Sequence, residues 1–173
     1  IGAKVVCIPQ FSPNALINVF ETHKATQLYV APPVVGLIVN HQGFKRDHLS
    51  HTKSITSGAA PLGAELIKKF QDKMGEHCRF TQGFGLTETS PLVARGKYAE
   101  YNSAGFFAVN TRARIVDWSD GGEGNNLGCN ETGEILVKGP QVMKGYLKNP
   151  KATAECMDGE WFKTGDIGHV DEK

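Results

Sequence analysis

The sequence predicts an α/β fold, with a parallel sheet covered by helices over about residues 1–105 and a mostly β, barrel-like portion over about residues 106–173. Three observations predict this class. Strand-like runs alternate with helical segments in the first part, which is typical of parallel sheets with helical crossovers. After Tyr101 apolar and polar residues alternate, which favours half-buried strands. The 173 residues, 40% of them hydrophobic, also suffice to bury a core.

Four strands are predicted in the first part, because four short runs rich in β-branched or aromatic residues are bounded by turn-forming residues. They occupy residues 4–9, 26–30, 53–57 and 79–84. The third strand leads into a turn at Gly58, and the fourth into a loop that contains Gly83 and Gly85. Both turns therefore belong at the carboxyl edge of the sheet, where ligands bind in open α/β sheets.

Three helices are predicted between these strands. Ser12-Pro13 combines a capping residue with proline at the first helical position, so the first helix begins there. Pro32-Pro33 begins the second helix. The third begins at Pro61 and ends before Gly75, because apolar residues recur between them at helical spacing. These apolar residues are Leu62, Leu66, Ile67, Phe70 and Met74.

The second part is predicted to be mostly strand. Residues 111–117 and 132–138 alternate in polarity, which predicts two strands that expose one face. Asn149-Pro150 begins a short helix, and further strands are predicted at Trp161-Phe162 and at residues 167–170. The pattern changes from alternating strands and helices to mostly strands near residues 100–110, where we place the boundary between the two parts of the chain.

Charge, hydropathy and cysteine content exclude several classes of protein. The net charge of +1 argues against a nucleic-acid partner. Apolar runs fall short of the ~20 residues that a transmembrane helix needs. The four cysteines form no CxxC pair, so we expect them to be reduced and the protein to be intracellular. The chain begins with Ile1 inside a strand-like run, so we expect it to be a fragment of a longer protein. Nothing in the sequence indicates an oligomeric state.

Two glycine-containing turns are candidates for a ligand site. Gly58, Ala59 and Ala60 have side chains so small that a flat ring can lie against the backbone, although a plain strand–helix turn explains the same pattern. In the loop at residues 82–90, Thr87 offers a hydroxyl to a phosphate oxygen. Glu88 offers a carboxylate, a ligand that Mg²⁺ prefers beside phosphates.

A third candidate is Asp166, which follows a glycine and precedes a predicted strand. A carboxylate in that position can accept hydrogen bonds from both hydroxyls of a ribose. A lone Thr-Gly-Asp is also a common turn.

Taken together, four segments closely resemble the core motifs of the adenylate-forming superfamily, which includes acyl-CoA synthetases, coumarate–CoA ligases, luciferases and the adenylation domains of peptide synthetases. They are, in order, residues 57–62 (SGAAPL), 82–89 (QGFGLTET), 133–153 (GEILVKGPQVMKGYLKNPKAT) and 161–172 (WFKTGDIGHVDE). The pattern is most similar to the coumarate–CoA ligase and luciferase branch. The resemblance implies that both parts of the chain belong to one AMP-binding domain.

The resemblance also implies a role for each matching residue. Catalysis would depend on Thr87, which binds phosphate, and on Glu88, which binds Mg²⁺. The nucleotide would be bound by Gly58, Ala59, Ala60, Gln82, Gly83, Phe84, Gly85, Thr87 and Asp166. The acyl pocket would include Ala59, Gly83, Phe84 and Leu92.

The implied reaction joins a small carboxylic acid to ATP and then to coenzyme A, with Mg²⁺ as cofactor. A luciferase-like or other adenylating enzyme, or a non-catalytic nucleotide-binding remnant, is the alternative. The family's phosphate loop and catalytic lysine lie outside this chain, so we expect residues 1–173 alone to be inactive. The compartment is expected to be the cytoplasm or the peroxisome.

Overall fold

The computed structural model describes residues 2–75, 77–98, 100–101, 103–118 and 124–172. They form two compact units. The first comprises Ile1–Phe84 and Ala94–Phe106, and the second comprises Gly85–Val93 and Phe107–Lys173. The first unit combines a sheet with helices and the second is built on an antiparallel sheet, which confirms the predicted fold class. The proposed division of one AMP-binding domain near residue 105 stays a prediction.

The helices of the first unit are α1 (Pro13–His23), α2 (Pro32–Asn40) and α3 (Ala64–Met74). The Ser12 side chain accepts a hydrogen bond from the Ala15 N–H at 3.1 Å, which confirms the predicted cap of α1. The predicted start of α3 at Pro61 is wrong by three residues. Both backbone polar groups of Leu62 bond to a side chain of the sheet, so Leu62 stays outside the helix.

The sheet of the first unit contains, in order, β1 (Gln27–Val30), β2 (Ser54–Ser57), β3 (Arg79–Phe84), β4 (Ala94–Arg95) and, at its edge, β5 (Phe106–Phe107). β1, β2 and β3 are parallel, as predicted, and β4 runs antiparallel to β3. Ser57, the last residue of β2, pairs with Gln82 of β3. The carboxyl ends of β2 and β3 therefore lie side by side.

The predicted strand at residues 4–9 is wrong. This segment pairs with none of the strands that the structure describes, and Val5 is 80% exposed. β-Branched residues favour extended backbone, but a strand also needs a hydrogen-bonded neighbour. The side chains of this segment therefore indicate its backbone conformation and not its pairing.

Helices and one face of the sheet form the core of the first unit. Ile55 of β2 and Phe80 of β3 are fully buried in the same cluster as side chains from all three helices. These helix residues are Leu16, Phe20, Val35, Ile38, Ile67, Phe70 and Met74. Each large side chain buried in this way stabilises the fold by about 1.5–3 kcal/mol, so the cluster fixes the sheet on which the candidate site is built.

Lys73 connects α3 to the end of α2. Its Nζ donates hydrogen bonds to the carbonyl oxygens of Ile38, Val39 and His41 at 2.9, 2.8 and 2.9 Å. These carbonyls lie at the carboxyl end of α2, where a helix carries partial negative charge. Lys73 therefore satisfies backbone groups that the helix itself leaves unpaired.

The second unit contains β6 (Arg112–Val116), β7 (Gly133–Lys138), α4 (Pro150–Cys156), β8 (Met157–Asp158) and β9 (Trp161–Gly168). The four strands are antiparallel, in the spatial order β6-β7-β9-β8. The strand predicted at residues 161–162 and the first two residues of the strand predicted at 167–170 belong to one strand, β9, and the prediction at residues 169–170 is wrong. The register of β9 against β7 shifts between Glu134 and Leu136, which explains why the alternation of side chains is interrupted.

Among the described residues, no helix combines the length and apolar character needed to cross a membrane.

Candidate functional site

The small-residue turn lies directly after β2, as predicted. The Gly58 N–H donates to the Val30 carbonyl at 3.1 Å, so the turn continues the parallel pairing before it leaves the sheet. A Cβ added to Gly58 would lie 3.5 Å from the Gly83 carbonyl oxygen, so this turn contacts the end of β3. Ala59 has a φ of 71°, and Ala59 and Ala60 are exposed. The first unit thus brings two of the predicted ligand-binding segments together at the carboxyl edge of its sheet.

Gln82 stabilises this edge with its whole side chain. Its Oε1 accepts from the Leu62 N–H at 3.0 Å, and its Nε2 donates to the carbonyls of Leu62 at 3.2 Å and Tyr101 at 2.8 Å. The amide therefore holds the segment that follows the small-residue turn. The oxygen and the nitrogen of the Gln82 amide are both hydrogen-bonded within the first unit. The predicted contact of Gln82 with the nucleotide stays a prediction.

Gly83 and Phe84 are half-buried residues at the end of β3. Gly83 pairs with Arg95 and Phe84 with Ala94 in β4. This pairing fixes the backbone that carries the Phe84 side chain, which is predicted to contact the nucleotide. That contact stays a prediction.

In the second unit, the loop at residues 85–93 places the predicted catalytic pair on a short 3-10 turn, Thr87–Thr89. A Cβ on Gly85 would lie 1.7 Å from the Pro91 carbonyl oxygen, so this position requires glycine. The buried Thr89 hydroxyl accepts from the Leu86 N–H at 2.9 Å. The same hydroxyl lies 2.9 Å from the carbonyl oxygens of Leu86 and Pro91, to either of which it can donate.

Thr87 and Glu88 lie on the outside of this turn. Thr87 is exposed, and its hydroxyl has no hydrogen-bond partner within the part of the chain that the structure describes. Glu88 is half-buried and is fixed twice: its carbonyl accepts from the Met143 N–H at 2.7 Å, and its Oε1 accepts from the Tyr146 hydroxyl at 2.7 Å. The hydrogen bond to Glu88 raises the pKa of Tyr146 above its usual value, because the carboxylate favours the protonated phenol.

The segment at residues 139–146 therefore contacts the loop at residues 85–93 at several points. Besides Met143 and Tyr146, the Gln141 Nε2 donates to the Leu92 carbonyl at 3.3 Å and to the Thr111 hydroxyl at 2.6 Å. The contacts of this segment with Glu88 were not predicted from the sequence. Its spacing contains no signal for them, because Tyr146 follows Glu88 by 58 positions.

Asp166 lies in β9 with an exposed carboxylate. Its N–H donates to the Thr164 hydroxyl at 3.1 Å, and Gly165 before it has a φ of 73°. The Gly165 N–H in turn donates to Glu134 Oε1 at 3.1 Å. The Asp166 side chain has no partner among the residues described, so its oxygens are available to a ligand such as a ribose.

The groups around Glu88 decide whether the predicted Mg²⁺ could bind there. Over the described residues, no group of three or more His, Cys, Asp or Glu side chains could hold a metal ion. Glu88 alone would supply one carboxylate, with Oε1 engaged by Tyr146 and Oε2 without a described partner. This donor set fits Mg²⁺ bound to a phosphate-bearing ligand, because Mg²⁺ takes one or two carboxylates and completes its shell with phosphates and water.

A cavity of about 990 Å³ lies elsewhere in the first unit, at the amino ends of β2 and β3. Its lining includes Lys53, Arg79 and Arg95, and none of the predicted site residues. The predicted site residues of the first unit lie at the opposite, carboxyl edge of its sheet.

Comparison with known proteins gives consistent results. The sequence model of the family described as AMP-binding enzyme matches residues 1–147. The chain is 36% identical to 4-coumarate–CoA ligase-like 6 of Arabidopsis thaliana over 178 aligned residues, which cover 99% of this chain and 31% of that protein. The chain thus spans about a third of the length of the curated relatives that it matches.

Solved structures show the same similarity. The ATP-bound MatB of Rhodopseudomonas palustris superposes with a TM-score of 0.82 and 28% identity, over 96% of this chain and 32% of MatB. The amide bond synthetase McbA of Marinactinospora thermotolerans superposes with a TM-score of 0.81 and 26% identity, over 95% of this chain and 34% of McbA.

Proposed function

The chain belongs to the AMP-binding enzyme family, and on this basis we propose that it forms the middle part of an acyl-CoA synthetase. The complete enzyme, meaning these residues together with the flanking segments that the longer relatives have, would activate a small carboxylic acid with ATP and transfer it to coenzyme A. The observation on which the proposal rests is the loop of Thr87 and Glu88, whose carboxylate is held in place with one oxygen unengaged.

The reaction has two steps. In the first, an oxygen of the acid attacks the α-phosphorus of ATP, the bond to pyrophosphate breaks, and an acyl-adenylate forms. In the second, the sulfur of coenzyme A attacks the acyl carbon and AMP leaves. In the first step negative charge is carried by the oxygens around the α-phosphorus and by the leaving pyrophosphate, so this step depends more on positioning and charge stabilisation than on covalent catalysis.

Each predicted residue has a role that its position supports. Thr87 would donate its exposed hydroxyl to a phosphate oxygen. Glu88 would hold Mg²⁺, which would neutralise phosphate charge when bound. Asp166 would accept hydrogen bonds from the ribose hydroxyls with its unpartnered carboxylate.

The carboxyl edge of the first sheet would form the remaining contacts. Gly58, Ala59 and Ala60 leave the backbone of the turn open to a flat ring, and Gln82 holds the segment that follows. Gly83, Phe84 and Leu92 would contribute to the acyl pocket together with Ala59. The acid would then be chosen by side-chain bulk at these positions, for which fatty and phenylpropanoid acids are the classes to test.

Another adenylating enzyme is the main alternative, because the same first step serves luciferases and enzymes that transfer the acyl group to other acceptors. The similarity to an amide bond synthetase favours testing amines as acceptors beside coenzyme A. A non-catalytic remnant is disfavoured, because Thr87, Glu88 and Asp166 all retain the groups that the chemistry needs. An intracellular location is proposed on the cysteine content alone.

The test is acid-dependent exchange of labelled pyrophosphate into ATP by the complete enzyme. We expect exchange with at least one member of a panel of aliphatic and aromatic acids. Glu88→Gln should lower the rate by about 100-fold, the usual effect of removing one charge-stabilising group. Glu155→Gln, which changes an exposed carboxylate of α4, is the matched control and should leave the rate unchanged. Absence of exchange with every acid, or equal rates for the two variants, would refute the proposal.

We expect residues 1–173 without the flanking segments to show no exchange. The second step is then tested by adding coenzyme A or a panel of amines to the complete enzyme and identifying the acylated product by mass spectrometry.

A further inference from the structure

We propose that Tyr146 is a positioning residue, which orients the Glu88 carboxylate so that one of its oxygens is free to bind the metal of the ATP complex. The inference rests on the proposed function and deepens it. It adds a residue to the metal site from a segment whose sequence indicated only turn and cap formation.

Glu88 is held at both its backbone and its side chain by one short segment. The Met143 N–H donates to the Glu88 carbonyl, and the Tyr146 hydroxyl donates to Glu88 Oε1, each at 2.7 Å. A half-exposed glutamate otherwise samples several rotamers, and ordering it opposes metal binding. A hydrogen bond to one oxygen restricts these rotamers and leaves Oε2 without a described partner.

Tyr146 is itself fixed by the start of α4. Its N–H donates to the Thr153 hydroxyl at 2.9 Å, and its carbonyl accepts from the Asn149 N–H at 3.1 Å. A Cβ on Gly145 would lie 2.8 Å from Thr153 Cγ2, so the chain passes close to the helix just before the tyrosine. The phenol is thus presented to Glu88 from a segment that is hydrogen-bonded to the cap and first turn of α4.

The chemistry of the pair suits this role. The Tyr146 phenol is the donor and the ionised Glu88 carboxylate can only accept, so the hydrogen bond occupies Oε1 and leaves the charge of the carboxylate in place. The opposite effect, in which Tyr146 competes with the metal for the carboxylate, predicts the reverse change in metal dependence and is separable by experiment.

The first measurement is the Mg²⁺ dependence of pyrophosphate exchange by the complete enzyme. Tyr146→Phe keeps the ring and removes only the hydroxyl. We expect the half-saturating Mg²⁺ concentration to rise about tenfold, the effect of losing one hydrogen bond to a charged group. The rate at saturating Mg²⁺ should stay within about twofold of wild type, as expected for a residue that acts through binding. Tyr98→Phe, at a tyrosine of similar exposure in the first unit, is the control and should change neither value.

A double-mutant cycle tests whether Tyr146 acts through Glu88. On the residual exchange activity of Glu88→Gln, the Tyr146→Phe change should alter the half-saturating Mg²⁺ concentration by less than about twofold, whereas independent sites would again show the full rise of about tenfold.

A second readout needs no catalytic activity. In the complete enzyme with ¹³C-labelled tyrosine rings, the Tyr146 Cζ resonance is assigned by its loss in Tyr146→Phe. That resonance should shift in Glu88→Gln, because the phenol then loses the charged acceptor of its hydrogen bond.

The outcomes separate this inference from the proposed function. If wild type exchanges pyrophosphate and Tyr146→Phe leaves the Mg²⁺ dependence unchanged or lowers the half-saturating concentration, the positioning role is overturned alone. A Tyr146 Cζ resonance that is unchanged in Glu88→Gln overturns it as well. If wild type fails to exchange with any acid, the proposed function fails first and the role in metal binding fails with it, whatever the resonance shows.

Discussion

Gln82 and Leu62 are joined by two reciprocal hydrogen bonds: the Leu62 N–H donates to Gln82 Oε1 at 3.0 Å, and Gln82 Nε2 donates to the Leu62 carbonyl at 3.2 Å. The pair ties the end of β3 to the segment after the small-residue turn. A side-chain amide thus serves as the backbone partner that Leu62 lacks, since α3 begins only at Ala64.

Replacing Gln82 by leucine should destabilise the first unit by about 1–3 kcal/mol, because the buried backbone groups of Leu62 lose their partners. Urea unfolding followed by circular dichroism measures the free energy of unfolding. Gln27→Leu, at an exposed position in β1, is the control and should change it by less than about 0.5 kcal/mol. Equal free energies of unfolding for the two variants would show that the hydrogen bonds of Gln82 to Leu62 do not stabilise the first unit.

Replacing Gly85 by alanine should disrupt the Thr87–Glu88 loop, because the added Cβ would lie 1.7 Å from the Pro91 carbonyl oxygen. We expect a loss of about 2–3 kcal/mol of stability or a rearranged loop, in which the Tyr146 phenol no longer titrates with a raised pKa. Gly36→Ala is the contrasting change: its Cβ would meet only Leu66 Cδ2, at 4.0 Å, inside α2. That variant should be stabilised by about 0.5–1 kcal/mol, since alanine is favoured over glycine in helices.

Lys73→Met should destabilise the first unit by about 1–3 kcal/mol, because three carbonyl groups at the end of α2 lose a charged donor while the apolar stem is kept. Thermal and chemical unfolding check this value. Lys68→Met removes a lysine from the same helix whose contact is an exposed ion pair with Asp72 at 3.4 Å, and it should cost less than about 0.5 kcal/mol. A smaller effect at position 73 than at position 68 would refute the cap.

Cys78 should make the stability of the chain fall at high pH. Burial raises the pKa of its thiol from 9.0 to about 11, and the residue is 1% exposed. Between these values the unfolded chain releases the proton and the folded chain retains it. The stabilising contribution is therefore complete below pH 9 and is lost at up to about 1.4 kcal/mol for each pH unit above it.

The measurement is urea unfolding of wild type and Cys78→Ala between pH 8 and pH 11. The variant should be less stable at pH 8, because it leaves a small cavity, but it should lose less stability as the pH rises. Parallel curves for the two proteins would disprove the assignment. At pH 8, iodoacetamide should label the exposed Cys7 and Cys129 before Cys78.

Local chemistry was predictable from the sequence and long-range contacts were not. Ser12 and Asn149 are capping residues, and each accepts a hydrogen bond from the N–H group three positions later in the chain. The structure therefore confirms the predicted starts of α1 and α4. The strand predicted at residues 4–9 was wrong because pairing depends on a neighbour that side-chain pattern does not reveal.

The candidate site shows the same division. The positions of Gly58 and Gly83 at adjacent strand ends follow from strand–turn–helix order. The contact of Tyr146 with Glu88 could not be predicted, because it depends on how the segment at residues 139–146 meets the loop at residues 85–93. Whether the predicted residues bind ATP, Mg²⁺ and an acid stays a prediction for the experiments above.

The separation of 58 positions between Glu88 and Tyr146 also affects synthesis of the chain. A ribosome adding about 5–20 residues per second needs about 3–12 s to reach the tyrosine after making the glutamate. During that time Glu88 lacks the two hydrogen bonds that Met143 and Tyr146 provide, whereas the helices of the first unit have already been synthesised. The turn at Thr87–Thr89 is therefore anchored late in translation, and a nascent chain that ends before Met143 would display Glu88 without either hydrogen bond.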